Sequence, residues 1–138
     1  MLSPNDAPCV LTGAPISAAI AEMDRCKLGA VLVLDNNKQD NEKPDQNKKL
    51  LGIITDGDIR HLIAKGLMDF PNQPVDTFMT ANPRSLQTDS FLYEALNLME
   101  QYQITVLPII NSSSGLEGFL HLHDILGKGS FSFNGESK

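Results

Sequence analysis

Leu50-Leu51-Gly52-Ile53-Ile54-Thr55-Asp56-Gly57-Asp58-Ile59-Arg60 and Leu116-Glu117-Gly118-Phe119-Leu120-His121-Leu122-His123-Asp124-Ile125-Leu126 are two versions of one strand, turn and helix start. Each runs from apolar strand residues and a glycine to an aspartate three places beyond a polar side chain. The upstream halves correspond as well. Ser17-Ala18-Ala19-Ile20-Ala21-Glu22-Met23-Asp24 aligns with Tyr93-Glu94-Ala95-Leu96-Asn97-Leu98-Met99-Glu100, and Ala30 to Asp35 aligns with Val106 to Asn111. Met23 and Met99 lie 76 positions apart but Asp58 and Asp124 only 66, so the first copy carries ten extra residues between its second and third strands. Neither unit alone can bury its apolar faces, so two such units stack and leave paired clefts between them.

Periodicity sets the elements. Ile16, Ala19, Ile20, Met23 and Cys26 recur at helical spacing, as do Leu92, Ala95, Leu96, Met99 and Tyr102, which predicts one long helix per unit. Asp89 or Ser90 is placed to cap the second, with Glu94 facing the positive end of its dipole. Apolar runs over Ala30 to Leu34 and Val106 to Ile110, then Leu51 to Ile54 and Phe119 to Leu120, read as short buried strands. Opening strands fall at about Cys9 to Leu11 and Arg84 to Leu86, and closing helices begin near Asp56 and Leu122. Each unit is therefore strand, helix, strand, strand, helix. Pro71, Pro74 and Pro83 punctuate the passage between units, where Val75 to Pro83 reads as a short helix and then extended chain. Asn36 to Lys49 has no apolar residue; it cannot offset its ordering entropy by burial and is expected to be a solvated hairpin extension.

The 138 residues, 41% apolar, suit one compact unit made of two half-domains sharing a core. The apolar runs are strand-sized, far short of the ~20 residues of a membrane span, so a soluble chain with no membrane partner is expected. Met1-Leu2-Ser3-Pro4-Asn5-Asp6 has neither a basic nor an apolar signal region, which fits a cytoplasmic protein. Cys9 and Cys26 are read as free buried thiols in a reducing compartment. A net charge of −6 argues against a nucleic-acid surface, which needs cations to replace condensed counterions. Arg60, Lys65, Arg84 and Lys128 still lie near the motif segments, either to receive one anionic small molecule or as ordinary solvated charges. No Walker-type loop, nucleophile elbow or paired-cysteine site occurs, and no catalytic residue is assigned.

The motif itself has two chemical readings. Thr55, at a strand end, can bond a ligand phosphate while Asp58 accepts from ribose hydroxyls, and Gly57 allows close approach beside the helix N-terminus. The same Thr55-x-x-Asp58 spacing is that of a capping box, in which the two side chains satisfy the helix's own donors. In the second copy His121 replaces the hydroxyl and His123 is added. A His-x-His pair could hold a metal, but no Cys or second His pair completes a four-ligand set, so no metal is assigned. Imidazoles that protonate near neutrality suit an acidic ligand group instead, and a satisfied, partly buried histidine is the plain alternative.

Two units each ending in Gly, two apolar residues and a polar-x-x-Asp, joined by Met79-Thr80-Ala81-Asn82-Pro83, resemble a cystathionine-β-synthase (CBS) domain pair, also called a Bateman module. The string Gly52 to Arg60, the Met79 to Pro83 segment and His121 to Leu126 are similar to the C-terminal regulatory part of bacterial arabinose 5-phosphate isomerases, which serve Kdo and lipopolysaccharide biosynthesis. The resemblance implies an α+β fold of two β-α-β-β-α repeats packed with pseudo-two-fold symmetry: repeat 1 over 1–70 with the insertion at 36–49, a linker at 71–83, repeat 2 over 84–129 and a polar tail at 130–138. It implies a non-catalytic ligand sensor attached to an upstream sugar-isomerase (SIS) domain, associating as a homodimer. The ligand-binding set it suggests is Thr55, Asp58, Arg84, Pro108, His121, His123 and Asp124. No cofactor is implied beyond a regulatory nucleotide, CMP-Kdo as feedback inhibitor or AMP and ATP. In that context Thr55 and Asp58 cap the helix when the cleft is empty and turn to the ligand when it is filled. Sugar-phosphate nucleotidyltransferases with CBS pairs carry a similar Thr-Asp-Gly-Asp string, and a purely structural dimerisation module is the reading of another class.

Overall fold

A computed structural model describes residues 6–36, 48–87, 92–102 and 104–122. The chain runs through β1 (Cys9–Leu11), α1 (Ile16–Cys26), β2 (Ala30–Leu34), β3 (Leu50–Thr55), α2 (Asp56–Ala64), a single 3-10 turn at Phe70–Asn72, α3 (Val75–Phe78), β4 (Thr80–Ala81), β5 (Leu86–Gln87), α4 (Leu92–Tyr102), β6 (Val106–Ile110) and β7 (Leu116–His121). The strands form two mixed sheets, ordered β1-β2-β3-β4 and β5-β6-β7. The architecture is the expected α+β pair; of the closing helix expected from Leu122, only Leu122 lies within the described residues.

Strand register establishes the repeat more firmly than residue identity does. Ala30 pairs with Thr55 and Val33 with Gly52 in the first sheet, while Val106 pairs with His121 and Ile109 with Gly118 in the second. Both ladders carry an irregularity at the same place, between Val33 and Leu34 and between Ile109 and Ile110. Both long helices close alike, with Leu28 N donating to Met23 O and Ile104 N to Met99 O.

Strand alternation then divides the core into three. Every residue of β2 is buried. Val31 and Val33 face the α1 layer with Ile16, Ala19 and Ile54, whereas Leu32 and Leu34 face repeat 2, where Leu116 and Phe119 meet them. The irregularity in each ladder inserts one extra residue, Leu51 or Glu117, and so turns Leu50 and Leu116 onto this shared face. A matching layer under α4 holds Ala95, Met99, Leu107 and Leu120. Ile20, grouped by spacing with the apolar face of α1, is 36% exposed and lies at that face's edge.

Several boundaries differ from the sequence expectation. The third strands are longer than their apolar runs because pairing continues through Thr55, Leu116 and His121. β5 is shifted to Leu86–Gln87 and is one residue shorter than β1, and Pro108 supplies the cause. Its counterpart Leu32 donates its N–H to Pro8 O at 2.9 Å. A proline cannot donate that rung, so pairing with β6 starts one step later. The 3-10 turn was not foreseen. Lys48 and Lys49, read as the end of a solvated loop, instead join the repeats: Leu50 N donates to Ser114 O, Leu116 N donates to Lys48 O, and Lys49 bridges Gly115. At the other end of the insertion Asn36 N donates to Thr12 Oγ at 3.1 Å; residues 37–47 lie outside the described residues, as do Asp89 and Ser90.

The linker packs on repeat 1. Val75 is fully buried in its core, Ile16 N donates to Gln73 O, and Asp76 accepts from Gly13 N at 2.7 Å. As expected, a short helix is followed by extended chain, and that chain pairs with β3.

Candidate functional site

The two sheets meet so that the entries to β2 and β6 face one another. Gly29 and Ala30 of repeat 1, with Thr55 and Asp56 at the junction of β3 and α2, and Ile104, Thr105 and Val106 of repeat 2 line a cleft of about 290 Å³. Thr105 and Val106 are the repeat counterparts of Gly29 and Ala30, so the cleft straddles the pseudo-two-fold. Backbone bonds fix both walls: Asp56 N donates to Gly29 O at 2.8 Å and Leu122 N to Thr105 O at 2.7 Å.

Thr55 and Asp58 form a complete capping box. Asp58 N donates to Thr55 Oγ at 3.2 Å, and Thr55 N donates to the Asp58 carboxylate at 2.9 Å. Thr55 lines the cleft, while the Asp58 carboxylate is turned to its own helix end. A Cβ added at Gly57 would meet Thr55 Oγ at 3.6 Å and Arg60 Nη2 at 3.7 Å. These are ordinary contacts, so no neighbour among the described residues requires a glycine at position 57.

The other candidates separate. His121 pairs with Val106 as Thr55 pairs with Ala30, is partly buried, and has interactions of its own. Pro108 is fully buried opposite Phe119. Arg84 lies over the Tyr102 ring, 3.9 Å from its centroid, in a cation–π contact, and does not line this cleft. His123, Asp124 and Lys128 lie outside the described residues. Lys65 closes α2, about 13 Å along the axis from Asp56 at 1.5 Å per residue, whereas Arg60 reaches back to pair with Asp56 at 3.4 Å. Sequence reasoning passed over Asp56, Gly29 and Thr105. The repeat alignment placed Gly29 and Thr105 at matching positions before the second strands, and only the packing of the sheets brings them together.

Among the described residues no group of three or more His, Cys, Asp or Glu side chains is placed to hold a metal, and no helix is long and apolar enough to cross a membrane. Cys9 and Cys26 are free, as expected, but half-buried. Burial, then the Glu22 carboxylate, pushes the Cys9 thiol up to about 12.

The sequence profile of the CBS domain matches residues 3–65 and 75–130. The chain belongs to the CBS domain family. This CBS pair is 33% identical over 122 residues to the arabinose 5-phosphate isomerase of Pseudomonas aeruginosa, a match covering 88% of this chain and 34% of that protein. It spans about a third of the length of the curated relatives it matches. In fold it is similar to the CBS-pair protein CBSX2 of Arabidopsis thaliana in complex with AMP, with a TM-score of 0.74 and 19% identity over 94% of this chain and 91% of that one. A CBS domain protein of Pyrobaculum aerophilum complexed with AMP gives a TM-score of 0.69 and 15% identity, covering 90% and 89% of the two chains.

Proposed function

We propose that this CBS pair is the non-catalytic, nucleotide-sensing part of a longer cytoplasmic sugar-phosphate isomerase, and that occupation of the cleft between its repeats regulates an upstream SIS domain. The observation that carries the reading is a cleft walled by both repeats, with Thr55 in its wall and Asp58 one helical turn away. Exchange of the capping box for ligand contacts gives the sensor two states: Thr55 and Asp58 leave their helix donors and turn to phosphate and ribose. The AMP complexes of two structural neighbours support a nucleotide as occupant, and the isomerase relatives support the parent activity. CMP-Kdo is the effector that the resemblance to the isomerases suggests, and its acidic sugar suits the imidazoles of His121 and His123. Allosteric couplings of ~1–3 kcal/mol suffice for such regulation.

Thermal unfolding of the chain against CMP-Kdo, CMP, AMP, ATP and buffer tests this. A ligand at ~100 times its Kd adds ~2.7 kcal/mol of stability. Gly57→Ala should keep the unliganded Tm, since its Cβ makes only ordinary contacts, yet abolish the ligand shift. Absence of any shift with all four ligands overturns the nucleotide reading, and a response to AMP but not CMP-Kdo overturns the effector assignment.

A second observation favours self-association through the same module. Leu67, Met68, Phe70 and Phe78 border an apolar groove of about 420 Å³, in which Met68 is 92% exposed. Sedimentation should report a dimer that Met68→Glu weakens; an unchanged monomer mass for both proteins removes this reading.

A further inference from the structure

We propose that Asp56 and Arg60 set how much negative charge the inter-repeat cleft accepts, making the site selective among nucleotides by their phosphate content. This rests on the nucleotide reading above.

The Asp56 carboxylate stands in the wall of the cleft. Gly29 makes room for it: a Cβ at position 29 would come within 3.2 Å of Asp56 Cγ and Oδ2. Arg60, one turn further along α2, folds back so that Nη1 lies 3.4 Å from Asp56 Oδ2. Its Nη2 would be 3.7 Å from a Cβ on Gly57, a point that is 3.6 Å from Thr55 Oγ. The guanidinium and the Thr55 hydroxyl therefore flank Gly57 at the start of α2. The pair is peculiar to repeat 1, because the repeat alignment puts Thr105 in the place of Gly29, Leu122 in that of Asp56 and Leu126 in that of Arg60.

The two charges act in opposite directions on an anionic ligand. Both side chains are more than half exposed, and exposed ion pairs hold weakly, so a phosphate at Thr55 can draw Arg60 away from Asp56. One phosphate then takes the guanidinium, and the uncovered carboxylate repels any further negative charge. The cleft thus prefers a nucleoside monophosphate to a triphosphate.

Titrations of adenosine, AMP and ATP against the intact chain, Asp56→Asn and Arg60→Gln provide the test, with Tm as the control for folding. Asp56→Asn should raise the ratio of ATP to AMP affinity by about threefold or more, the value for one unit charge removed at ~6 Å under bulk-water screening. Arg60→Gln should weaken AMP by a similar factor and leave adenosine unchanged. Ratios in both variants equal to those of the intact chain overturn the charge selection while leaving the nucleotide reading in place. Failure of the intact chain to bind AMP and ATP overturns the charge selection, and failure to bind CMP and CMP-Kdo as well overturns the nucleotide reading with it.

Discussion

Gly52 shows how one residue of the repeated motif is constrained by the fold and not by a ligand. A Cβ there would stand 2.5 Å from Met79 Sδ and 3.0 Å from Thr80 O, because the linker strand crosses it. Gly52→Ala should cost ~1–3 kcal/mol, as overpacking in a well-packed interior does, and a lowered Tm with unchanged ligand response is the expected readout. Glu22 makes a different point. A hydrogen bond from Arg25 is the main cause holding its carboxyl below the ordinary 4.5, against a smaller opposing effect of burial. The folded protein therefore binds this proton less readily than the unfolded chain. Its contribution to stability is full above the unfolded value and is lost as pH falls through the depressed folded one. Glu22→Gln should accordingly flatten part of the decline in Tm on acidification, measured between pH 6 and pH 3. The raised Cys9 thiol predicts slow alkylation at pH 8, since the thiolate is the nucleophile; labelling by iodoacetamide followed by mass spectrometry reads this directly.

At the scale of elements, β5 depends on a residue in its neighbour. Pro108 removes the donor that Leu32 supplies in the first repeat, and β5 begins at Leu86. Pro108→Val should restore the rung, extend β5 to Ser85 and give the residue-108 amide hydrogen-exchange protection approaching that of Leu32. A freely exchanging amide would show that the proline is not what shortens the strand. The helices were legible because α1 and α4 are amphipathic over eleven residues each, a long signal with one period. The ends of β3 and β7 were not, because Thr55 and His121 are polar and join their strands only through partners distant in sequence, Ala30 and Val106. Lys48 and Lys49 were misread for the same reason: lysines with no apolar neighbour look solvated until Ser114, Gly115 and Leu116 are set beside them.

For the whole molecule, the shared layer of Leu32, Leu34, Leu50, Leu116 and Phe119 should make the two repeats unfold as one cooperative unit. The chain has two tyrosines and no tryptophan, and both tyrosines, Tyr93 and Tyr102, belong to α4. Tyrosine fluorescence consequently reports repeat 2 alone, while far-UV circular dichroism reports both repeats. The two melting curves should coincide in the intact protein. Phe119→Ala should cost ~3–5 kcal/mol and shift both curves together; separated curves in the intact protein would mean that the repeats unfold independently.

The amino-acid sequence determined the two amphipathic helices, the all-apolar strands and the Thr55-x-x-Asp58 capping box, since each is written in residues a few positions apart whose periodicity or spacing has a local cause, and the repeat and its offset follow from finding those same local patterns twice. Tertiary structure alone decided that Gly29 and Asp56 face Thr105 across one cleft, that Arg84 stacks on Tyr102, and that the insertion's last lysines bridge the repeats. Those relations join positions up to about 75 residues apart, and no local pattern encodes them, because the energy that fixes them comes from burying leucine and phenylalanine between two sheets and not from the residues that end up in the site.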